Sequence, residues 1–314
     1  MKAAVVIPCH NVAALIPRAI ASVRDQGIAG LEVIAVDDAS EDGTLEALRA
    51  ISSDAYVKLR VIALTKRSGA CAARNAGLAA TDAQWVQFLD ADDALRPGKI
   101  LRQLAIAQRD KADAVAGAYI NRYEDGRIDE EVRPLGGDPW MALVRTRIGT
   151  TSANLFRRQA VLDAGGWDKG LRSSQDYELL FRMLKRDAVI AWDMEPGCEV
   201  LKRARGSISR TDEQANWLRY IELRRAMRDH LVAIGPGAHA AAIAAADQYL
   251  FMAIRVLSAH DRRAAFEAFD RLLPQGFVPE ASRATSAYYL LLFRMLGFRW
   301  AERLAGIKDA LIGR

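Results

Sequence analysis

Asp90, Asp92 and Asp93 place three carboxylates within four residues, directly after the apolar run Trp85–Leu89. Carboxylates this close repel one another unless a positive charge sits against them. Oxygen ligands of this kind suit a hard divalent cation, Mg2+ or Mn2+, which keeps several waters and takes its other ligands from a phosphate. The same residues also fit an acidic loop in which Asp93 makes an Asx turn ahead of a helix beginning near Pro97. The segment alone leaves both readings open. A second acidic pair, Asp37-Asp38, ends the apolar run Leu31–Val36 and leads through Ser40, Asp42 and Gly43 to Thr44, a turn and N-cap pattern. Ser173-x-x-Asp176 heads a third helical pattern and fits a capping box.

The elements that must position these residues follow from periodicity. Apolar β-forming runs at 3–7, 31–36, 59–64, 85–89 and 113–118 alternate with helical patterns at 13–27, 44–51, 70–80 and 97–109. That alternation predicts βαβ units and a mostly parallel, Rossmann-like sheet flanked by helices. In such a sheet, ligands bind at the carboxyl ends of strands, where both acidic clusters fall. No GxGxxG follows the first strand and no GxxxxGK[ST] occurs, so the loops are not those of a dinucleotide or P-loop site. Residues 119–150 read as a loop region with a short helix near Trp140–Val144. Strands are expected at 151–156, 189–192 and 198–201, with helices at 157–164 and 176–185. Beyond Thr211 the chain becomes rich in Ala, Leu and Arg. It reads as a C-terminal appendage of four or five helices, broken at Gly235-Pro236-Gly237 and at 274–279. The expected domains are 1–210, divided into 1–118 and 119–210, and 211–314.

Composition bounds the function classes. The 314 residues suffice for one large domain or two smaller ones, and the net charge of +5 is unevenly spread. Residues 1–201 carry 26 Lys and Arg against 28 Asp and Glu, whereas 202–314 carry 18 against 11. The basic tail suggests an anionic partner or a solvated Arg-rich surface. Cys9, Cys71 and Cys198 form no CxxC pair, which favours reduced thiols in a cytoplasmic protein. Met1 leads into a strand-like run, so no signal peptide is expected.

The order of motifs resembles the family 2 glycosyltransferases of the GT-A fold. Pro8-x-x-Asn11, Val36-Asp37-Asp38-x-Ser40-x-Asp42-Gly43-Thr44, Gly69-x-x-x-Ala73-Arg74-Asn75-x-Gly77 and Phe88-Leu89-Asp90-Ala91-Asp92-Asp93 carry it. Gly165-Gly166-Trp167-Asp168 and Gln175-Asp176-Tyr177-Glu178-Leu179 extend it, so the likeness spans about residues 3–210. The resemblance implies inverting transfer of a sugar from a nucleoside-diphosphate sugar, a UDP-sugar by preference. The acceptor would be a glycan or lipid-linked hydroxyl, in cell-surface polysaccharide synthesis. It implies that Pro8, Asn11, Asp37 and Asp38 line the base and ribose pocket, and that Gly69, Arg74 and Asn75 border the nucleotide. Asp90 and Asp92 would be the DxD pair, with Asp92 on Mn2+ or Mg2+ and Asp90 on the ribose or metal. Trp167 and Asp168 would lie on the acceptor side, and Asp176 would be the general base. A helix N-terminus would tend to lower the pKa of Asp176 and keep it ionised.

Two departures stand out. The usual acidic residue before the base is Gln175, and the basic segment Lys202-Arg203-Ala204-Arg205-Gly206-Ser207 lacks the His many members carry. Arg203 or Arg205 could hold the diphosphate instead, since guanidinium is a good bidentate phosphate ligand. The alternatives are a catalytically degenerate nucleotide-sugar-binding module and a metal-dependent nucleotidyltransferase. Nucleic-acid binding is not expected. The stretch 284–304 mixes Tyr, Leu, Phe, Met and Trp with Arg294 and Arg299, too interrupted for a membrane span. It reads as a core or oligomer contact, with peripheral attachment at the inner face of a membrane as the alternative.

Overall fold

The computed structural model describes residues 2–52, 58–203, 213–282 and 285–311. The chain divides into two compact units, Met1–Ile208 and Ser209–Arg314. The division expected at 210/211 lies outside the described residues.

In the first unit, β1 (Ala3–Cys9), β2 (Glu32–Asp37), β3 (Leu59–Ala63) and β4 (Trp85–Phe88) are joined by α1 (Ile16–Arg24), α2 (Thr44–Ser52) and α3 (Ala70–Ala79). The four strands pair in parallel in the order β3-β2-β1-β4. Val5, Val6, Ile7, Val33, Ile34 and Val36 are buried because helices cover both faces, which is why these strands read as continuous apolar runs. The register sets Cys9 beside Asp37 and Val6 beside Phe88. Pro8, Asp37 and Asp90 therefore gather at one carboxyl edge. Helix α3 is built of small residues for a reason: a Cβ on Gly77 would run into the Val6 side chain, so only glycine lets α3 lie this close to β1.

The sheet continues through β5 (Ala94–Leu95), β6 (Ala114–Tyr123), β7 (Ile128–Val132), β8 (Leu155–Arg157) and β9 (Ile190–Lys202). β8 is antiparallel to β4 and β6, while β9 runs parallel to β6. Helices α4 (Lys99–Arg109), α5 (Pro139–Val144), α6 (Arg158–Asp163) and α7 (Gln175–Leu184) lie between these strands in sequence.

Three expectations are corrected. The supposed loop from 119 begins as the second half of β6, which pairs with the edge strand β7. Its polar residues hid the strand, because one face of an edge hairpin stays wet. The strand expected at 151–156 is only the short β8, shifted to 155–157. The two strands expected at 189–192 and 198–201 are one strand, β9, whose pairing with β6 slips twice beside Gly117 and Ala118. Pro196 reads as a break, but the bulge absorbs its missing N–H.

The second unit holds α8 (Glu213–Ile234), α9 (Ala240–His260), α10 (Arg262–Leu272) and α11 (Ala287–Leu311), the last kinked at Gly297 (φ 76°). Phe251 of α9 is its centre, meeting Phe269, Phe277, Tyr289, Phe293 and Phe298 at ring-centroid distances of 5.4–6.4 Å. By length and composition α9 could cross a bilayer, but half of that apolar window is packed inside the molecule. It is the core helix of this unit.

Candidate active site

The site forms where the carboxyl ends of β1, β2 and β4 meet the start of α7. Two loops are strapped together first. Val12 N–H donates to Thr44 Oγ1 at 2.8 Å, Ala13 N–H to Asp42 at 3.1 Å, and Glu41 N–H to the Asn11 side chain at 2.9 Å. Asn11 sits at φ 52°, a conformation asparagine tolerates better than most residues. Its side-chain oxygen is thus committed to the strap.

Asp38 is buried, and its two oxygens accept the Ser68 and Gly69 N–H groups, each at 2.7 Å. Asp38, expected to line the base and ribose pocket, anchors the Gly69 loop. Asp37 accepts from Ser40 N–H at 3.2 Å, while its buried Oδ1 meets no donor among the described residues. Pro8 lies at the end of β1, half-buried beside Val36.

Arg74 holds the centre. Its guanidinium is buried, donates to Asp90 at 2.6 Å and to the Gln175 side-chain oxygen at 2.8 Å, and lies 4.6 Å over the Trp167 ring. Asn75 exchanges two hydrogen bonds with the Trp167 backbone, accepting from its N–H at 2.8 Å and donating to its carbonyl at 2.7 Å. The turn before it is tight: Gly166 is at φ 71° and a Cβ there would strike the Asn75 side chain. Arg182 of α7 clamps the same turn, donating to Gly166 O at 2.7 Å while paired with Glu178. Arg74 and Asn75, expected to border the nucleotide, are both held by protein groups. Trp167, expected to face an acceptor, is 1% exposed and packs edge-on against Phe88 at 5.1 Å. Asp168 is exposed and caps its own turn at Gly170 N–H, 2.8 Å away.

The three carboxylates of the β4 loop have separate partners. Asp90 pairs with Arg74, Asp92 pairs with Arg203 at 3.0 Å, and buried Asp93 accepts from Ser152 Oγ at 2.6 Å and Leu201 N–H at 2.9 Å. Asp93 therefore ties the loop to Ser152 and β9, which speaks against the alternative reading of an Asx turn. Burial, then the neighbouring Asp90 charge, pushes the Asp92 carboxyl up, and Asp93 is pushed up further by burial, Asp90 and Asp92. Arg205 lies outside the described residues.

Asp176 stands in the first turn of α7 and accepts from Tyr177 N–H at 3.0 Å. The N-cap is Ser174, at φ 57° with no side-chain cap bond, so the capping-box reading does not hold. Protein atoms crowd Asp176 although it keeps some exposure, and burial raises its carboxyl above the ordinary 3.8. The expected lowering by the helix N-terminus is outweighed. Arg74 feels the charges of both Asp90 and Asp176, and the Tyr119 hydroxyl, pushed up to about 12 by burial and then by Asp176, lies on the same side. Tyr119 and Ser152 carried no signal as site residues in the sequence, and Gln175 stood out only as a departure from the motif, because their roles depend on contacts across the fold. Burial pushes the thiols of Cys9, Cys71 and Cys198 up, so they pack as neutral groups.

Among the described residues, no three His, Cys, Asp or Glu side chains are grouped to hold a metal ion. Asp90 and Asp92 could supply hard carboxylate oxygens, and the Asp90 side chain is 37% exposed. That donor set fits a cation completing its shell from a diphosphate and water.

The family described as glycosyl transferase family 2 matches residues 4–180. The succinoglycan biosynthesis protein ExoO of Rhizobium meliloti is 39% identical over 115 residues, covering 37% of this chain and 30% of that protein. A putative teichuronic acid biosynthesis glycosyltransferase, TuaG of Bacillus subtilis, is 28% identical over 226 residues, 70% of this chain and 88% of its own length. The chain spans between 30% and 61% of the length of the first curated relatives it matches. Among solved structures, S. aureus TarS 1–349 in complex with UDP-GlcNAc aligns with a TM-score of 0.65 at 19% identity, covering 96% of this chain and 91% of that one. Mannosyltransferase PcManGT from Pyrobaculum calidifontis, in complex with GDP-Man and Mn2+, aligns at 0.60 and 18% identity over 100% and 88% of the two chains. These likenesses establish the GT-A fold.

Proposed function

The chain belongs to glycosyl transferase family 2, and on that premise we propose that it transfers a sugar, with inversion, from a nucleoside-diphosphate sugar to a hydroxyl of a growing cell-surface polysaccharide. UDP is the favoured nucleotide, and a glycan or lipid-linked acceptor the favoured second substrate. The observation that carries this reading is the Arg74 bridge, which brings Asp90 of the β4 loop and the helix start bearing Asp176 to one place. Names of relatives in succinoglycan and teichuronic acid synthesis support the polysaccharide assignment.

In the proposed reaction the acceptor O–H gives its proton to the Asp176 carboxylate as the oxygen attacks the anomeric carbon. The bond from that carbon to the diphosphate oxygen breaks, and the nucleoside diphosphate leaves with the electron pair. Attack opposite the leaving group inverts the centre. A raised Asp176 pKa suits this role, because a base accepts a proton best when its pKa lies nearer the working pH. Asp92, with Asp90, would hold Mn2+ or Mg2+, and a bound divalent cation offsets the charge developing on the diphosphate. Arg203 stands beside Asp92 and can turn its fork toward the same phosphates.

Calorimetric titration with UDP, GDP and TDP, in Mn2+ and in EDTA, tests the reading beside Asp92→Ala. One nucleotide should bind with metal dependence, and the variant should lose that dependence. Hydrolysis of the matching nucleotide-sugars then identifies the donor. Failure of every diphosphate to bind would sink the assignment in favour of a degenerate module.

A further inference from the structure

We propose that the outward face of α11 is a docking surface for an anionic lipid bilayer. Leu291, Met295, Leu296 and Trp300 are 54, 70, 47 and 55% exposed; Leu291 and Met295 form an i,i+4 pair before the Gly297 kink, and Leu296 and Trp300 stand on either side of it. Tyr289, Phe293, Phe298 and Ala301 point the other way and fill the core of the helical unit. The helix is therefore apolar on both sides, and only one side is used internally.

The charges sort in the same way. Arg294 and Arg303 are exposed, with Arg303 lying 5.0 Å over the Trp300 ring, while Arg299 is already paired with Asp270 of α10. Glu302 is turned inward, where Arg255 and the Tyr289 hydroxyl each reach it at 2.7 Å. Among the described side chains of α11, the outer surface thus presents apolar groups and arginines but no carboxylate. An ordinary solvated helix face mixes both signs.

A second copy of the chain is the poorer occupant. Pairing this face with itself would set like-charged arginines together in a dehydrated contact, where repulsion is strong. Anionic headgroups supply the negative charge that α11 itself does not offer Arg294 and Arg303, and the acyl boundary accepts Leu291, Met295 and Trp300. Trp at the headgroup level, with Arg beside it, is a usual interfacial anchor. The arginines keep the helix lying in the interface and prevent it from crossing.

The test is co-sedimentation of the full chain with vesicles of phosphatidylcholine, with and without phosphatidylglycerol. Binding should require the anionic lipid, weaken with salt, and fall about tenfold or more in Leu291→Glu/Met295→Glu and in Arg294→Glu/Arg303→Glu. Circular dichroism of each variant checks that the fold is kept. A second reading needs only a mild change: brominated anionic vesicles should quench the unaltered chain more than Trp300→Phe. No binding to anionic vesicles, equal binding by the glutamate variants, or equal quenching would overturn the proposal. So would a dimer that the same variants disperse. The measurements need neither nucleotide nor turnover, so they stand or fall separately from the transferase reading.

Discussion

Arg74 lies 2.6 Å from Asp90 and is almost wholly buried, whereas Asp90 keeps about a third of its side chain exposed. The cation is thus fixed by the protein while its partner faces the site. Since Arg74 also reaches Gln175, next to Asp176, it couples the Asp90 carboxylate to the start of α7.

Arg74→Ala should therefore cost both stability and turnover. Loss of a buried partner, softened by the exposure of Asp90, should remove about 2 kcal/mol, read as a drop of several degrees in Tm. Donor hydrolysis should fall more than about tenfold, because a misplaced helix spoils alignment. Arg74→Lys should recover much of the Tm but not the rate, since ammonium cannot span Asp90 and Gln175 with a planar fork. Full recovery of the rate by lysine would show that charge alone matters.

Arg203 and a divalent cation compete for Asp92. Their 3.0 Å ion pair must open before the carboxylate can take a metal. In Arg203→Ala, Mn2+ alone should bind about fivefold tighter, as expected if an ion pair worth about 1 kcal/mol no longer opposes it. Binding of the nucleoside diphosphate should weaken at the same time, because a phosphate fork is gone. Calorimetry reads both; unchanged Mn2+ affinity would remove the competition.

Asp176→Asn preserves shape while removing the group proposed as the base. Turnover should fall about 10²–10⁴-fold, with nucleotide affinity within about twofold of the parent. Because burial raises the Asp176 carboxyl, the parent enzyme should lose activity on its acid side at pH values above the ordinary 3.8. The remaining activity of the asparagine variant should lack that acid limb. Stopped assays across pH on both proteins decide the point.

The parallel half of the sheet was legible because each strand is a doubly buried apolar run and each helix shows its own face. Asp90, Asp92 and Asp176 stood out by type and position. What could not be read was the partner of each. Asp38 is used by two loop amides 30 residues away, and Trp167 is sealed behind Arg74. The β6–β7 hairpin was hidden for a related reason, since an edge pair needs no apolar alternation on its wet side. The direction at Asp176 was misjudged because burial, which sequence does not display, exceeds the helix-terminus effect.

Lys99 gives the last prediction, on stability. Its side chain is fully buried beneath the sheet, bonded to the Gln87 side-chain oxygen and lying 3.4 Å from Asn154 O. Burial lowers its pKa from 10.5 to about 7, against the opposing pull of Cys198 and Asp193. Between those values the unfolded chain holds a proton that the folded chain lacks, so raising pH favours folding. The contribution is complete above 10.5 and is lost as pH falls through about 7. Lys99→Met removes the titration but leaves the Gln87 oxygen unpaired, a cost of about 1–3 kcal/mol. The variant should therefore be clearly less stable than the parent near pH 10. The gap should close by about 1 kcal/mol per pH unit on descending toward neutrality, and could reverse below it. Urea unfolding of both proteins across this range gives the difference directly. A gap that stays constant with pH would mean that Lys99 keeps its ordinary pKa in the folded chain.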